Sequence, residues 1–203
     1  MMDSFNRIPQ HGVVQGWLGA QSIKRLLVYA QVNEHLFKES TVAYGTSDRI
    51  DTTRRISRKL DGFGHLKQQL IPRVREILPT MFQTLGIKPF KPTVELELVA
   101  HGNGAFFARH VDTLTGHGRR DGHHRIISAV YYFYALPKAF SGGALRLHSL
   151  AATGEQDAFV DIAPDNDTLV FFPSIFPHEV LPVQLPGGKF LDSRFAINCW
   201  ICS

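Results

Sequence analysis

The chain has 203 residues, enough for one domain with a real hydrophobic core and too few for two of ordinary size. With 44% hydrophobic and 20% charged residues it has the composition of a soluble globular protein, and no window approaches the roughly 20 apolar residues a membrane helix needs. The formal net charge of +4 comes without a dense basic run, which argues against a nucleic-acid partner.

Residues 1–10 carry Asp3, Asn6, Arg7 and Gln10 and no apolar signal core, so the expected compartment is the cytoplasm. Ile23, Leu26, Leu27 and Ala30 follow helical spacing and predict an amphipathic helix over 20–36. Residues 41–57 are polar and read as loop with room for a short strand. Leu66, Leu70, Val74, Ile77, Met81 and Leu85 form one apolar stripe of a long helix, with Gly86 as its C-terminal cap. Pro72 and Pro79 each remove a backbone donor, so a break or kink is expected at one of them.

After Pro92 the pattern changes. Val94, Leu96 and Leu98 alternate with Glu95, Glu97 and Val99, as in a strand. Residues 126–134, 145–147, 159–162, 168–172 and 195–201 are rich in β-branched and aromatic side chains. Turn signals separate them at Ser141-Gly142-Gly143, Pro164-Asp165-Asn166-Asp167 and Pro186-Gly187-Gly188. Many short strands predict a mainly β sandwich or barrel, buttressed by the N-terminal helices. The expected layout is a single domain over 1–203, with a helical N-terminal support region over 1–92 and a β core over 93–203. Cys199 and Cys202 have C-x-x-C spacing but no second cysteine pair, and read as strand and tail residues.

The chemistry starts at His110-Val111-Asp112. On a strand, positions i and i+2 share a face, so both side chains can reach one metal ion. His178 lies downstream, in Phe176-Pro177-His178-Glu179-Val180, just after a strong strand and a turn. Two imidazoles and a carboxylate leave three coordination positions open, the arrangement of non-haem iron(II) oxygenases. A cosubstrate can take two of these and dioxygen the third. Arg194, further on, is suited to a bidentate grip on a carboxylate. Tyr132 falls inside an aromatic strand, where a buried phenol wants a hydrogen-bonding partner. Gly142-Gly143 reads as a plain hairpin turn. His101 and His148 read as structural or rim residues rather than ligands.

From about 94 to 201 the chain resembles the catalytic domain of 2-oxoglutarate-dependent prolyl hydroxylases, most closely the hypoxia-inducible-factor prolyl hydroxylase branch. The resemblance rests on Gly102-Asn103-Gly104, Arg109-His110-Val111-Asp112, Val130-Tyr131-Tyr132, Ser141-Gly142-Gly143-Ala144-Leu145-Arg146, Asp161-Ile162-Ala163-Pro164, Leu169-Val170-Phe171-Phe172, Pro177-His178-Glu179-Val180 and Arg194-Phe195-Ala196-Ile197, in the family's order. The N-terminal half carries no such match. The resemblance implies a double-stranded β-helix, or jelly roll, with Fe(II) on His110, Asp112 and His178. It implies 2-oxoglutarate as cosubstrate, with its far carboxylate on Arg194 beside the Tyr132 hydroxyl and Leu145 and Val180 as the apolar wall. Dioxygen is consumed, succinate and carbon dioxide are released, and ascorbate is an accompanying reductant.

The acid at position 112 favours hydroxylation, because the related halogenating enzymes carry a small residue there. Trp200 stands where the nucleic-acid demethylases of the superfamily usually carry a second arginine, which counts against that branch. The segment 113–125, with His117, His123 and His124, begins right after Asp112 and is expected to edge the active-site mouth. Arg109, His117, Arg125 and Trp200 are the candidate substrate-rim residues, and 184–193 is expected as a second rim element. The primary reading is hydroxylation of a protein or peptide side chain, with proline foremost. The alternatives are the same chemistry on a free amino acid or small biosynthetic intermediate, and a non-catalytic jelly-roll binding module.

Overall fold

The computed structural model describes residues 9–44, 47–60, 62, 64–113, 124–150 and 158–203. The first half runs through β1 (Gly12–Gln15), α1 (Ala20–Val32), β2 (Phe37–Glu39), the hairpin strands β3 (Val42–Tyr44) and β4 (Ser47–Arg49), β5 (Arg55–Ile56), β6 (Arg58–Leu60) and α2 (Gly64–Leu85). The second half is made of strands: β7 (Thr93–His101), β8 (Phe106–His110), β9 (Arg125–Phe133), β10 (Ser141–Gly142), β11 (Leu145–His148), β12 (Phe159–Ile162), β13 (Thr168–Pro173), β14 (His178–Val180), β15 (Val183–Gln184) and β16 (Arg194–Cys202).

The larger sheet has the order β1-β13-β9-β16-β7-β6-β2, and the facing sheet the order β12-β11-β14-β8-β5. The strands from β7 to β16 pass back and forth between these antiparallel sheets, which is the double-stranded β-helix. The first half, expected as helical support, also contributes strands. β1, β2 and β6 widen the larger sheet, and β5 extends the smaller one.

Alternation along the larger sheet sets up two cores. Tyr131, Phe133, Phe195, Ile197, Cys199 and Ile201 face the helices and pack with Leu26, Ala30, Leu70, Val74 and Met81. Tyr132, Val170, Phe172 and Ala196 face the other way and pack with Leu145 and Leu147 of the smaller sheet. A strand whose odd residues serve one core leaves its even residues for the space between the sheets. Arg194 and Tyr132 therefore point into the interior that a jelly roll uses for ligands.

Both expected helices form, without the expected break at a proline. α2 runs unbroken through Pro72 and Pro79. Both prolines lie on the exposed face, where water can satisfy a carbonyl left without a partner, while Leu66, Leu70, Val74, Leu78, Met81, Phe82 and Leu85 are buried beneath. Gly86 caps this helix as expected, with φ of 62° and Ile87 N–H donating to the Phe82 carbonyl at 2.9 Å. α1 ends at Val32, and a 3-10 turn over Glu34–Leu36 completes the expected 20–36 span, with Asn33 between them donating through Nδ2 to the Tyr29 carbonyl. Its N-terminus lacks a local cap. Asp167, in the distant β12–β13 turn, instead anchors the residues just before the helix, accepting from the Leu18 and Gly19 amides at 2.9 Å each and from the Tyr131 hydroxyl at 2.8 Å.

Candidate metal centre and cosubstrate cavity

His110 is the last residue of β8, and His178 the first of β14; the two are paired across the smaller sheet. Asp112 sits just past the end of β8, held by its own amide on the Ser174 carbonyl at 3.1 Å. The pair thus shares a face across a strand end rather than within a strand. One ligand atom from each of His110, Asp112 and His178 lies within 4.8 Å of the others.

The tautomers follow from the backbone. His110 Nδ1 is 2.9 Å from the Ala108 carbonyl, and His178 Nδ1 is 3.0 Å from the Phe176 carbonyl. A carbonyl only accepts, so each Nδ1 carries the proton and each Nε2 offers its lone pair. The two Nε2 atoms sit 3.7 Å and 3.5 Å from the Asp112 carboxylate oxygens. Ser128, 1% exposed, donates to Asp112 Oδ2 at 2.6 Å and meets Ser174 Oγ at 2.8 Å, which fixes the carboxylate. Phe107 stacks on the His110 ring with centroids 3.6 Å apart.

The charges divide unevenly. Burial and the neighbouring His178 lower His110 to a pKa of about 3. Burial would also lower His178, but the Asp112 carboxylate outweighs it and holds this ring above its ordinary value. Burial works against ionised Asp112, yet His178, His110 and the Ser128 hydroxyl keep it well below the usual carboxylate range.

The same cavity is lined by Tyr132, Leu145, Val180, Arg194 and Trp200, all singled out from sequence, by His101, read there as a structural or rim residue, and by Arg55, Phe107 and Asn198, which were not singled out. Arg194 is 1% exposed, and its guanidinium carbon lies 4.8 Å over the Tyr132 ring. Arg194 Nε, Arg194 Nη2 and the Tyr132 hydroxyl are buried without a hydrogen-bond partner. Burial pushes the Tyr132 phenol up to about 12, against the pull of Arg194. Buried donors left unpaired cost about 1–3 kcal/mol each, so their clustering around one void suits an anionic acceptor there. A dicarboxylate that met a metal ion held by His110, Asp112 and His178 at one end and these donors at the other would fit that donor set.

Gly143 belongs to this end as well. Its φ is +70°, and a Cβ there would sit 2.7 Å from Arg194 Cδ and 2.9 Å from Val183 Cγ2. The glycine pair read as a plain turn therefore also makes room for the arginine.

The rim candidates separate. Arg125 stacks over Trp200 at 3.8 Å and pairs with Glu95 at 2.9 Å, beside the cavity. Arg109 is exposed and alternates away from His110, outside the cavity lining. His117 lies outside the described residues, as does most of 113–125. The segment 184–193 is not a second rim element of this cavity. Phe190 packs at 5.0 Å on Phe37 and 5.3 Å on Phe195, which draws the segment toward the helical core.

Arg55 comes from the first half and had no sequence signal beyond lying in a polar stretch. It pairs with Glu97 at 3.0 Å, donates to Ser57 Oγ at 3.0 Å and covers Phe107. Cys199 and Cys202 are free, buried strand residues, and burial pushes both thiols up, Cys202 to about 11.

A jelly roll with two histidines and a carboxylate at one end of its cavity, and a buried arginine at the other, defines a class of metal-dependent oxygenases. The chain belongs to the 2OG-Fe(II) oxygenase superfamily, whose family profile matches residues 96–202. It is 31% identical over 197 residues to an uncharacterized PKHD-type hydroxylase of Synechocystis sp., covering 94% of this chain and spanning 62% of that relative's length. Among solved structures it is similar to a Pseudomonas putida prolyl-4-hydroxylase, with a TM-score of 0.65 and 22% identity over 96% of this chain and 92% of that one. It is also similar to a Trichoplax adhaerens prolyl hydroxylase in complex with a hypoxia-inducible-factor peptide fragment. There the TM-score is 0.65 and the identity 19%, over 96% of this chain and 84% of that one. Among the described residues no helix is long and apolar enough to cross a membrane.

Proposed function

We propose that this chain is an Fe(II)- and 2-oxoglutarate-dependent hydroxylase of a protein or peptide side chain, with proline as the foremost target. Residues 1–92 would support a catalytic core over 93–203 within one domain. One observation carries the reading. A single cavity holds three convergent metal-type ligand atoms and a buried guanidinium with two unpartnered donors.

In this reading His110 and His178 ligate through Nε2, and Asp112 through its carboxylate, with Ser128 setting its orientation. Arg194 and the Tyr132 hydroxyl hold the far carboxylate of 2-oxoglutarate, and Leu145 and Val180 exclude water along its chain. Bound Fe(II) and 2-oxoglutarate would supply the activation of dioxygen, with succinate and carbon dioxide as the by-products. Ascorbate would keep the iron reduced. The side chains position the reactants and keep the site dry.

A polypeptide substrate is favoured by the rim. The Arg125–Trp200 stack and the Arg55–Glu97–Lys59 group offer ordered charges and an aromatic face beside the cavity. The peptide-bound Trichoplax structure shares this fold. The test is incubation of the chain with Fe(II), 2-oxoglutarate and cell-extract peptides. Succinate formation and a mass gain of one oxygen atom on a proline-containing peptide are the expected results. Turnover with oxidation of a free amino acid alone would move the substrate to the small-molecule class. Absence of Fe(II) and 2-oxoglutarate binding would remove the reading altogether.

A further inference from the structure

β16 and β7 pair so that Arg194 stands directly opposite His101. His101 is 4% exposed, and its Nδ1 lies 3.1 Å from Arg194 Nη1 and 3.3 Å from the Arg194 carbonyl. These contacts require opposite protonation of one atom. A guanidinium has no lone pair to accept with, so at the shorter contact Nδ1 must be the acceptor. The carbonyl contact is then a close approach, and the ring's proton resides on Nε2. Burial, and then the charge of Arg194, hold the ring well below its ordinary pKa against the raising effect of the Arg194 carbonyl, so the ring is neutral.

The consequence lies in what Arg194 has left. Nη1 is taken by His101, and the two unpartnered donors are Nε and Nη2. These two N–H groups form one edge of the guanidinium and run parallel, the geometry that grips a carboxylate with two bonds. We propose that His101 is a positioning residue for cosubstrate selection: as a neutral acceptor it pins Nη1 and presents the Nε–Nη2 edge of Arg194 to the far carboxylate of 2-oxoglutarate. This rests on the reading that Arg194 binds that carboxylate. Without the acceptor, Nη1 becomes a third buried unpaired donor, and the guanidinium can turn to share the incoming carboxylate in a one-bond pose.

The experiment measures equilibrium binding of 2-oxoglutarate and of pyruvate to the Fe(II)-loaded protein without oxygen. Pyruvate keeps the 2-oxo acid head and lacks the far carboxylate, so it reports on the metal end alone. His101→Leu is expected to weaken 2-oxoglutarate at least about tenfold, the loss expected for a hydrogen bond to a charged group, with pyruvate unchanged. His101→Asn, whose side-chain oxygen can take the place of Nδ1, restores most of it. Arg194→Met tests the underlying reading, because equal binding of both acids by wild type and Arg194→Met would sink the reading itself. If Arg194→Met loses the preference for 2-oxoglutarate and His101→Leu keeps it, the reading stands and the role of His101 is overturned. Weakening of both acids by His101→Leu also overturns that role. Should the leucine variant fail to fold, nitrogen-15 spectra of the wild-type histidines decide, with the His101 signal identified by its loss in His101→Asn. A proton on Nε2 and none on Nδ1 at about pH 7 supports the proposal, and a protonated Nδ1 refutes it.

Discussion

The two ends of the cavity solve opposite electrostatic problems. At the metal end acceptors converge, since the Asp112 carboxylate, held by Ser128, lies within 3.7 Å of both histidine Nε2 atoms. At the arginine end two guanidinium donors and a phenol have no partner. One end gathers acceptors suited to a cation, while the other gathers donors suited to an anion. Selectivity for the cosubstrate should therefore reside mainly at the arginine end, and metal retention at the other.

Measurements at each end put that contrast to the test. The largest effect is expected at the metal end. Asp112→Ala should abolish succinate formation and cost more in iron affinity than the ~10–100-fold typical of losing a ligand's hydrogen-bonding partner. Wild-type iron content in that variant would remove the carboxylate from the site. Arg194→Met should lose about 2–5 kcal/mol of 2-oxoglutarate binding, as when one partner of a buried charge pair is removed. The same variant should melt no lower than wild type without cosubstrate, because the unpaired donors leave with it. A large drop in melting temperature there would mean that the deep end is already satisfied.

Ser128→Ala should weaken iron about 10–100-fold while leaving 2-oxoglutarate selectivity over pyruvate intact, read by metal titration and by competition. Gly143→Ala should destabilise the fold by about 1–3 kcal/mol, since φ of +70° and the Arg194 contact both oppose a Cβ, and should also loosen 2-oxoglutarate.

The smallest effect is in pH. His178 is raised above the histidine value, so in the metal-free protein its protonated form stabilises the fold at low pH. That contribution is lost as pH rises through its folded pKa. Metal needs the neutral ring. Iron affinity should thus fall on acidification below that pKa with a slope of one proton, since His110 at about 3 and ionised Asp112 titrate lower. A two-proton slope would reassign the charge of His110.

Legibility differed across the chain for physical reasons. The strands around the site were readable because burial on both faces demands runs such as 126–134 and 195–201. The unbroken α2 was less so, because proline's local cost is visible in sequence while the solvent-facing position that relieves it is not. His101 read as a structural or rim residue until register placed it against Arg194. Arg55 lay in a polar stretch with no period, and pairing of β5 with β8 brought it to the cavity.

The sequence carries the pattern that points to metal and cosubstrate chemistry. The spacing of His110 and Asp112, the later His178 and Arg194, and the aromatic alternation at Tyr132 are local patterns that survive in one dimension. Tertiary structure alone decided how those groups are held. The tautomers of His110 and His178 are set by backbone carbonyls, the carboxylate of Asp112 by Ser128, and the free edge of Arg194 by its cross-strand neighbour. Each of those depends on strand register, end geometry or sheet contact, which residue types do not encode one at a time.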